Sequence, residues 1–308
     1  MPNWNDVLNE ITQLQTSSYS TAQGAVDIIR RGYLKKLNSH TSRNIIAYYS
    51  GFLSKPGIAQ LDINDEDKNG FMMAVHKLTR SEGLDLILHT PGGDIAATQS
   101  IVNYLQKMFK NNIRAIVPQI AMSAGTMMAC SCRTILMTEH SNLGPIDPHL
   151  RGVPAYGVIE EFKKAYKEIK KDSTKIALWN PIISQYAPTF LSQCENAIQW
   201  SNKFVQEQLE KVMFVEDAKA KVKAKNIANK LSSYKGNKRH EKHIHIEECK
   251  KIGLKVERIE DDPILQDLVL TVHHCYMHSL MNTASFKMIE NHNGVAFVKQ
   301  QVAPLPQR

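Results

Sequence analysis

The sequence predicts an α/β fold of parallel β-turn-α units with additional helices at both ends. Three observations carry this. The apolar runs Leu84–His89, Ile113–Val117 and Thr134–Met137 have strand length and follow one another at the spacing of β-turn-α units. The first two run into turns of glycine, serine and alanine that open helical patterns. Long helical periodicities precede and follow this block.

In chain order, residues 1–40 read as a helical extension, with Trp4, Val7, Leu8, Ile11 and Leu14 at helical spacing. Asn44–Tyr49 reads as a buried strand, 53–64 as a loop and Asp65–Arg80 as a helix. After the strand Leu84–His89, the loop Thr90–Asp94 leads into a helix from Ile95 to Lys110. The strand Ile113–Val117 is followed by the turn Ile120–Gly125 and a helix over Thr126–Cys130. Thr134–Met137 is the next strand and Ser141–Pro148 a loop. Residues 155–171 and 187–230 read as long helices, Glu247–Gly253 as a short helix and Leu254–Arg258 as a strand. A final helix is expected over 263–289, with a loose tail after Asn293. The domain division is therefore 1–40, 41–262 and 263–308.

The composition is that of a globular protein: 43% hydrophobic and 22% charged over 308 residues. Five cysteines show no pairing pattern, which fits free, buried thiols in a reducing compartment. Met1–Gln15 is polar and carries no signal-peptide run, and no apolar stretch reaches membrane-spanning length. A cytoplasmic chain with no membrane association is expected. The net charge of +8 comes largely from Lys163–Lys175 and Lys219–Lys242. These lysines alternate with Ala, Ile and Val at helical spacing, so solvated helix faces are preferred to a nucleic-acid surface.

The chemistry sits in two loops at the carboxyl ends of strands, where open α/β sheets place their sites. Ser123 stands at a helix N-terminus, where unpaired backbone N–H groups favour developing negative charge. The small residues Ala124 and Gly125 admit a substrate carbonyl. In Pro91-Gly92-Gly93 the paired glycines let the backbone turn sharply and aim an N–H outward, a second donor opposite Ala124. Each loop alone also reads as ordinary structure, a helix cap or a tight turn. Gly-x-Gly-x-x-Gly spacing is absent from the glycine loop, so no dinucleotide cofactor is implied, and none of another kind.

Leu84–Leu150 resembles the ClpP/crotonase superfamily of serine peptidases. His89-Thr90-Pro91-Gly92-Gly93-Asp94 is similar to its Ser-Pro-Gly-Gly loop, and Ala121-Met122-Ser123-Ala124-Gly125 to its nucleophile turn. Ser141-Asn142-Leu143-Gly144-Pro145-Ile146 resembles the following loop in signal peptide peptidase A and its relatives. Gly144–Pro148, and His240-Glu241 with Glu248–Leu254, are similar to the serine dehydrogenase proteinase family, soluble relatives of that peptidase. The resemblance implies a ClpP/crotonase-like fold, Ser123 as nucleophile and an oxyanion hole from Gly92, Gly93 and Ala124. It also implies a homo-oligomer; no ATPase domain is evident in the sequence, so unfolding of folded polypeptide substrates would need a separate ATPase or adaptor.

The general base departs from the pattern. Where ClpP has its histidine, alignment on Pro148 places Ile146; His149 is near but out of register. The signal peptide peptidase branch uses a lysine a few dozen residues past the serine. Lys163, Lys164, Lys167, Lys170, Lys171 and Lys175 occupy that window here. A lysine base must be neutral and hence partly desolvated, which selects Lys175 beside Ile176, Ala177 and Leu178. His240 and His243, with Glu241 as orienting acid, form the alternative. His243 and His245 have metal-ligand spacing, but nothing completes a site, and no metal is expected. The favoured function is peptide-bond hydrolysis through an acyl-enzyme on Ser123. A catalytically inactive scaffold of the same fold and a crotonase-like acyl-thioester enzyme are the alternatives.

Overall fold

The computed structural model describes residues 4–18, 21–232 and 242–301. Helices α1 (Trp4–Ser18) and α2 (Ala22–Thr41) form the N-terminal extension, and β1 (Asn44–Ser50) opens the sheet. There follow α3 (Asp67–Val75), β2 (Leu84–His89), α4 (Ile95–Phe109), β3 (Ile113–Val117), the two-residue β4 (Ile120–Ala121), α5 (Ala124–Cys130) and β5 (Thr134–Met137). Short strands β6 (Asn142–Leu143), β7 (His149–Leu150) and β8 (Val153–Pro154) lead to helices α6 (Ala155–Lys171), α7 (Ile176–Ile183), α8 (Phe190–Gln208) and α9 (Ala220–Ser232). The chain closes with β9 (Ile244–His245), α10 (Ile246–Ile252), β10 (Val256–Arg258), α11 (Pro263–Asn282), β11 (Ser285–Asn291) and β12 (Ala296–Gln300).

Seven strands form one sheet in the order β10-β5-β3-β2-β1-β11-β12. The first five run parallel, and β11 and β12 add an antiparallel edge. Central strands of a parallel sheet are covered on both faces and read as near-continuous apolar runs. β2 is buried at all six positions, including Asp85, whose carboxylate is bracketed by Arg43 and Arg114 at 2.6 Å each. One face packs Leu86 and Leu88 with Ile101, Leu105 and Phe109 of α4 and Met127 of α5. The opposite face packs Ile45, Ala47 and Tyr49 of β1 with Leu34 and Leu37 of α2 and Val272 and Tyr276 of α11. The fold is the expected mixed α/β arrangement.

The C-terminal third differs from expectation. α11 ends at Asn282, and the residues assigned to the rest of a helix and a loose tail form the hairpin β11–β12. Phe286 and Met288 alternate with Lys287, and Asn293-Gly294, with Gly294 at φ +80°, supplies the turn. Residues 263–300 are thus part of the sheet and its cover, not an appendage to a domain ending at 262. α3 is also shorter than expected, since His76 turns extended and Lys77 takes positive φ. Gly70 lets α3 press on the hairpin: a Cβ there would lie 2.6 Å from Ile289 Cδ1.

No helix among the described residues is long and apolar enough to cross a membrane. All five cysteines are free and buried, and burial pushes the Cys132 and Cys249 thiols up to about 12.

Candidate active site

β2 and β3 both end at one edge of the sheet, and the loops that leave them meet there. Thr90 pairs with the β4 segment, donating its N–H to Ile120 O (3.1 Å) and accepting from Met122 N–H (3.0 Å). Buried Thr126 ties this to the next loop. Its Oγ1 lies 2.9 Å from Ala121 O, Gly144 O and Gly144 N alike. The glycine loop is held from outside by Ile63, which donates to Gly92 O (2.7 Å) and accepts from Asp94 N–H (2.9 Å). Asp94 caps α4 through a 2.7 Å hydrogen bond from Ala97 N–H.

Ser123 sits between these loops at φ 48°, ψ −112°. That backbone conformation costs a non-glycine residue about 1–3 kcal/mol and persists only where the surroundings impose it. Here Met122 N–H and Gly125 N–H are both engaged, the latter with Met122 O at 2.7 Å, which fixes the residue from either side. The Ser123 hydroxyl has no hydrogen bond to a described residue.

Gly92 and Gly93 have different tasks. At φ +102°, Gly92 lies so near the nucleophile that a Cβ would stand 2.8 Å from Ser123 Cβ and 3.0 Å from Ala124 N. Its N–H donates to Thr90 Oγ1 at 3.1 Å and is therefore not an open oxyanion donor, contrary to the sequence expectation. The neighbouring Gly93 N–H has no acceptor among the described residues, and neither has the Ala124 N–H. Those two N–H groups are what the arrangement offers to a developing oxyanion. Gly93 also has no room for a side chain, since a Cβ would fall 2.3 Å from Ile63 N and O.

A cavity of about 440 Å³ opens over Ser123, walled by residues 91–95 on one side and Pro148, His149 and Leu150 on the other. Trp200 of α8 and Asp62 complete the rim. His149 is an exposed imidazole on this wall, and partial desolvation of the ring lowers its pKa below the usual 6.5, so the ring is neutral at neutral pH. Two residues away, buried Asp147 accepts the Tyr156 N–H through one oxygen, and its Oδ1 has no partner among the described residues. Burial pushes its carboxyl up to about 7. His89, just before the glycine loop, is fully buried among Tyr49, Phe52 and His273, and burial holds it at about 3. It is a neutral packing residue.

The structure does not bring Lys175 to this cavity. It lies in the turn between α6 and α7 with its Nζ 3.4 Å from Glu168 Oε2 and its side chain 42% exposed. The apolar neighbours expected to desolvate it, Ile176 and Leu178, are themselves 52% and 61% exposed. Sequence adjacency to apolar residues therefore did not translate into a dry environment. Of the alternative set, His240 and Glu241 lie outside the described residues, and His243 is exposed. β9 pairs antiparallel with β6, Ile244 opposite Leu143, so the chain at 243 runs past Leu143 toward Gly144 beside the nucleophile turn. No group of three potential metal ligands occurs among the described residues.

Thr126, Ile63, Asp62 and Trp200 escaped sequence reasoning. Thr126 was readable only as one of several small residues after Ser123, and the others reach the site by contacts between distant segments. A second cavity of about 490 Å³ is lined by Arg133, Lys223 and Lys255, but Glu216 and Asp217 share that lining and no nucleophile does.

The family model described as ClpP-like SDH-type serine proteinase matches residues 20–290. Two uncharacterized proteins of Methanocaldococcus jannaschii are similar to the chain. One is 31% identical over 195 residues, covering 63% of this chain and 60% of its own length. The other is 29% identical over 194 residues, covering 63% and 59%. The alignments thus span about three fifths of these relatives. No solved structure matches.

Proposed function

The chain belongs to the ClpP-like SDH-type serine proteinase family, and from that premise we propose that it hydrolyses peptide bonds through an acyl-enzyme on Ser123. The observation that carries the reading is the strained Ser123, facing a cavity between two N–H groups, of Gly93 and Ala124, that have no other acceptor among the described residues. Ser123 Oγ attacks the carbonyl carbon, and the carbonyl electron pair moves onto oxygen, facing those two donors. The serine proton passes to the base and then to the departing amine as the C–N bond breaks. Water repeats the sequence on the ester and releases the acid.

Two further features support this assignment. Gly93 presents both its N–H and its C=O to the cavity side, because Ile63 occupies the opposite edge through Gly92 and Asp94. With its N–H facing the oxyanion, the Gly93 C=O remains to accept from the main chain of an extended peptide. For the base we propose His149, which lines the cavity and is neutral at working pH. Lys175 would need to leave Glu168 and cross from the α6–α7 turn.

Labelling with a fluorophosphonate probe tests the nucleophile. The wild type is expected to be labelled stoichiometrically and Ser123→Ala not at all, with both folded by circular dichroism. Folded wild type that resists labelling would overturn the reading and favour a non-catalytic binding protein.

A further inference from the structure

Resting on the nucleophile reading, we propose that the cavity selects peptides carrying a lysine or arginine side chain next to the scissile bond. Two carboxyl-bearing residues, Asp62 and Asp94, lie on the cavity wall around the glycine loop, and no lysine or arginine lines it. In a chain of net charge +8 this is a locally negative site. The Asp62 side chain has no hydrogen bond or ion pair to a described residue. Lys287 reaches the Asp62 carbonyl (2.6 Å), but its charge is already matched by Asp67 at 3.0 Å. Asp94 uses one carboxylate oxygen to cap α4 and keeps the other.

Apart from Ser123 and His149, the other side chains of the lining are apolar. Trp200 is 43% exposed, and its Nε1–H is fixed on Gln99 Oε1 at 3.1 Å, which holds the ring at the rim. Ile95 and Leu150 complete the apolar wall. An aliphatic stem ending in a cation satisfies both halves, by apolar contact and cation–π attraction along the ring and by charge at the carboxylates. A purely apolar side chain leaves the carboxylates unused, and an acidic one is repelled.

The two carboxyl-bearing residues sit on segments locked together. Ile63 bonds the glycine loop from one side of Asp62, so Asp62 and Asp94 are carried by the same backbone pairing that positions Gly93. The selectivity is therefore built on the rigid side of the site.

Matched fluorogenic acyl-peptides differing only in lysine, norleucine or glutamate before the scissile bond decide the matter. Norleucine keeps the stem and removes the charge. For wild type, kcat/KM is expected about tenfold higher for lysine than for norleucine, the equivalent of about 1.4 kcal/mol, and lowest for glutamate. The lysine-to-norleucine ratio should fall in Asp62→Asn, invert toward glutamate in Asp62→Lys, and shrink with added salt. Parallel fluorophosphonate labelling separates the two levels of the argument. A labelled enzyme that turns over norleucine as well as lysine, or whose ratio is indifferent to Asp62→Asn, overturns the charge selectivity and leaves the nucleophile standing. An unlabelled, inactive wild type overturns both.

Discussion

Two regions of the molecule, the loops around Ser123 and the helical arm α6–α7, are built differently. On one side, the glycine loop and the nucleophile turn are stitched to each other and to Ile63, Thr126 and Gly144 by backbone and buried side-chain hydrogen bonds. On the other, the helical arm α6–α7 carries lysines that face solvent or pair with neighbouring glutamates, and its apolar residues Ile176 and Leu178 are exposed. The N–H groups proposed to face an oxyanion are thus held in place beforehand, as fixed dipoles must be to act without reorganising during reaction. The lysines that a linear window singles out on the helical arm do not line the cavity over Ser123.

The largest expected effect sharpens that contrast at the base. Removing a positioned general base costs about 10²–10⁴ in rate. His149→Ala should show this loss, while Lys175→Ala should keep near-normal turnover. Since partial desolvation lowers the His149 pKa and only the neutral ring accepts a proton, wild-type kcat/KM should rise through a limb below pH 6.5 and then stay level. A limb above neutral pH, together with loss in Lys175→Ala, would instead show that the arm closes on the site.

Next comes the rigid side. Gly92→Ala would place a Cβ 2.8 Å from Met122 O and Ser123 Cβ in a positive-φ conformation. Displacing the nucleophile from the donors should cost about 10²–10³ in kcat, the scale of one lost oxyanion donor. Retained activity would mean that the loops are looser than their hydrogen bonds imply. A stability measurement follows for Thr126→Val, which keeps the volume but strands the Gly144 N–H and the carbonyl, of Ala121 or Gly144, that takes the hydroxyl proton. About 1–3 kcal/mol of destabilisation is expected by chemical denaturation. A change within 0.5 kcal/mol would remove Thr126 from the bracket.

The last test reads a pH slope, small at any one pH. Burial raises the Asp147 carboxyl from 3.8 to about 7, so between those values the folded state holds a proton that the unfolded chain has released. Stability from this group is therefore fully present below about pH 4 and declines as pH rises toward 7, by at most about 1.4 kcal/mol per pH unit. Asp147→Asn should flatten that part of the stability–pH curve. An unchanged slope would show the carboxylate to be ionised in the fold.

Much of this was legible in the linear sequence, and the exceptions share a cause. The strands Leu84–His89, Ile113–Val117 and Thr134–Met137 fall where their apolar runs lie, because central parallel strands are buried on both faces and tolerate few polar residues. The hairpin β11–β12 was missed although its alternation and Asn-Gly turn were present. Both signals were outweighed by the apolar periodicity of the helix that runs into them.

What the sequence determined by itself is the placement of Ser123 and the two glycines, because a strained turn and a close backbone approach are local demands that few residue types meet. Tertiary structure decided which N–H remains open, since Thr90 Oγ1 takes that of Gly92 and Ile63 occupies the edge that leaves Gly93 facing the cavity. It decided as well that Asp62, His149 and Trp200 line one cavity while Lys175 pairs with Glu168 elsewhere. Those outcomes depend on contacts between segments far apart in the chain, where burial and partners are set by packing and not by the neighbouring residues.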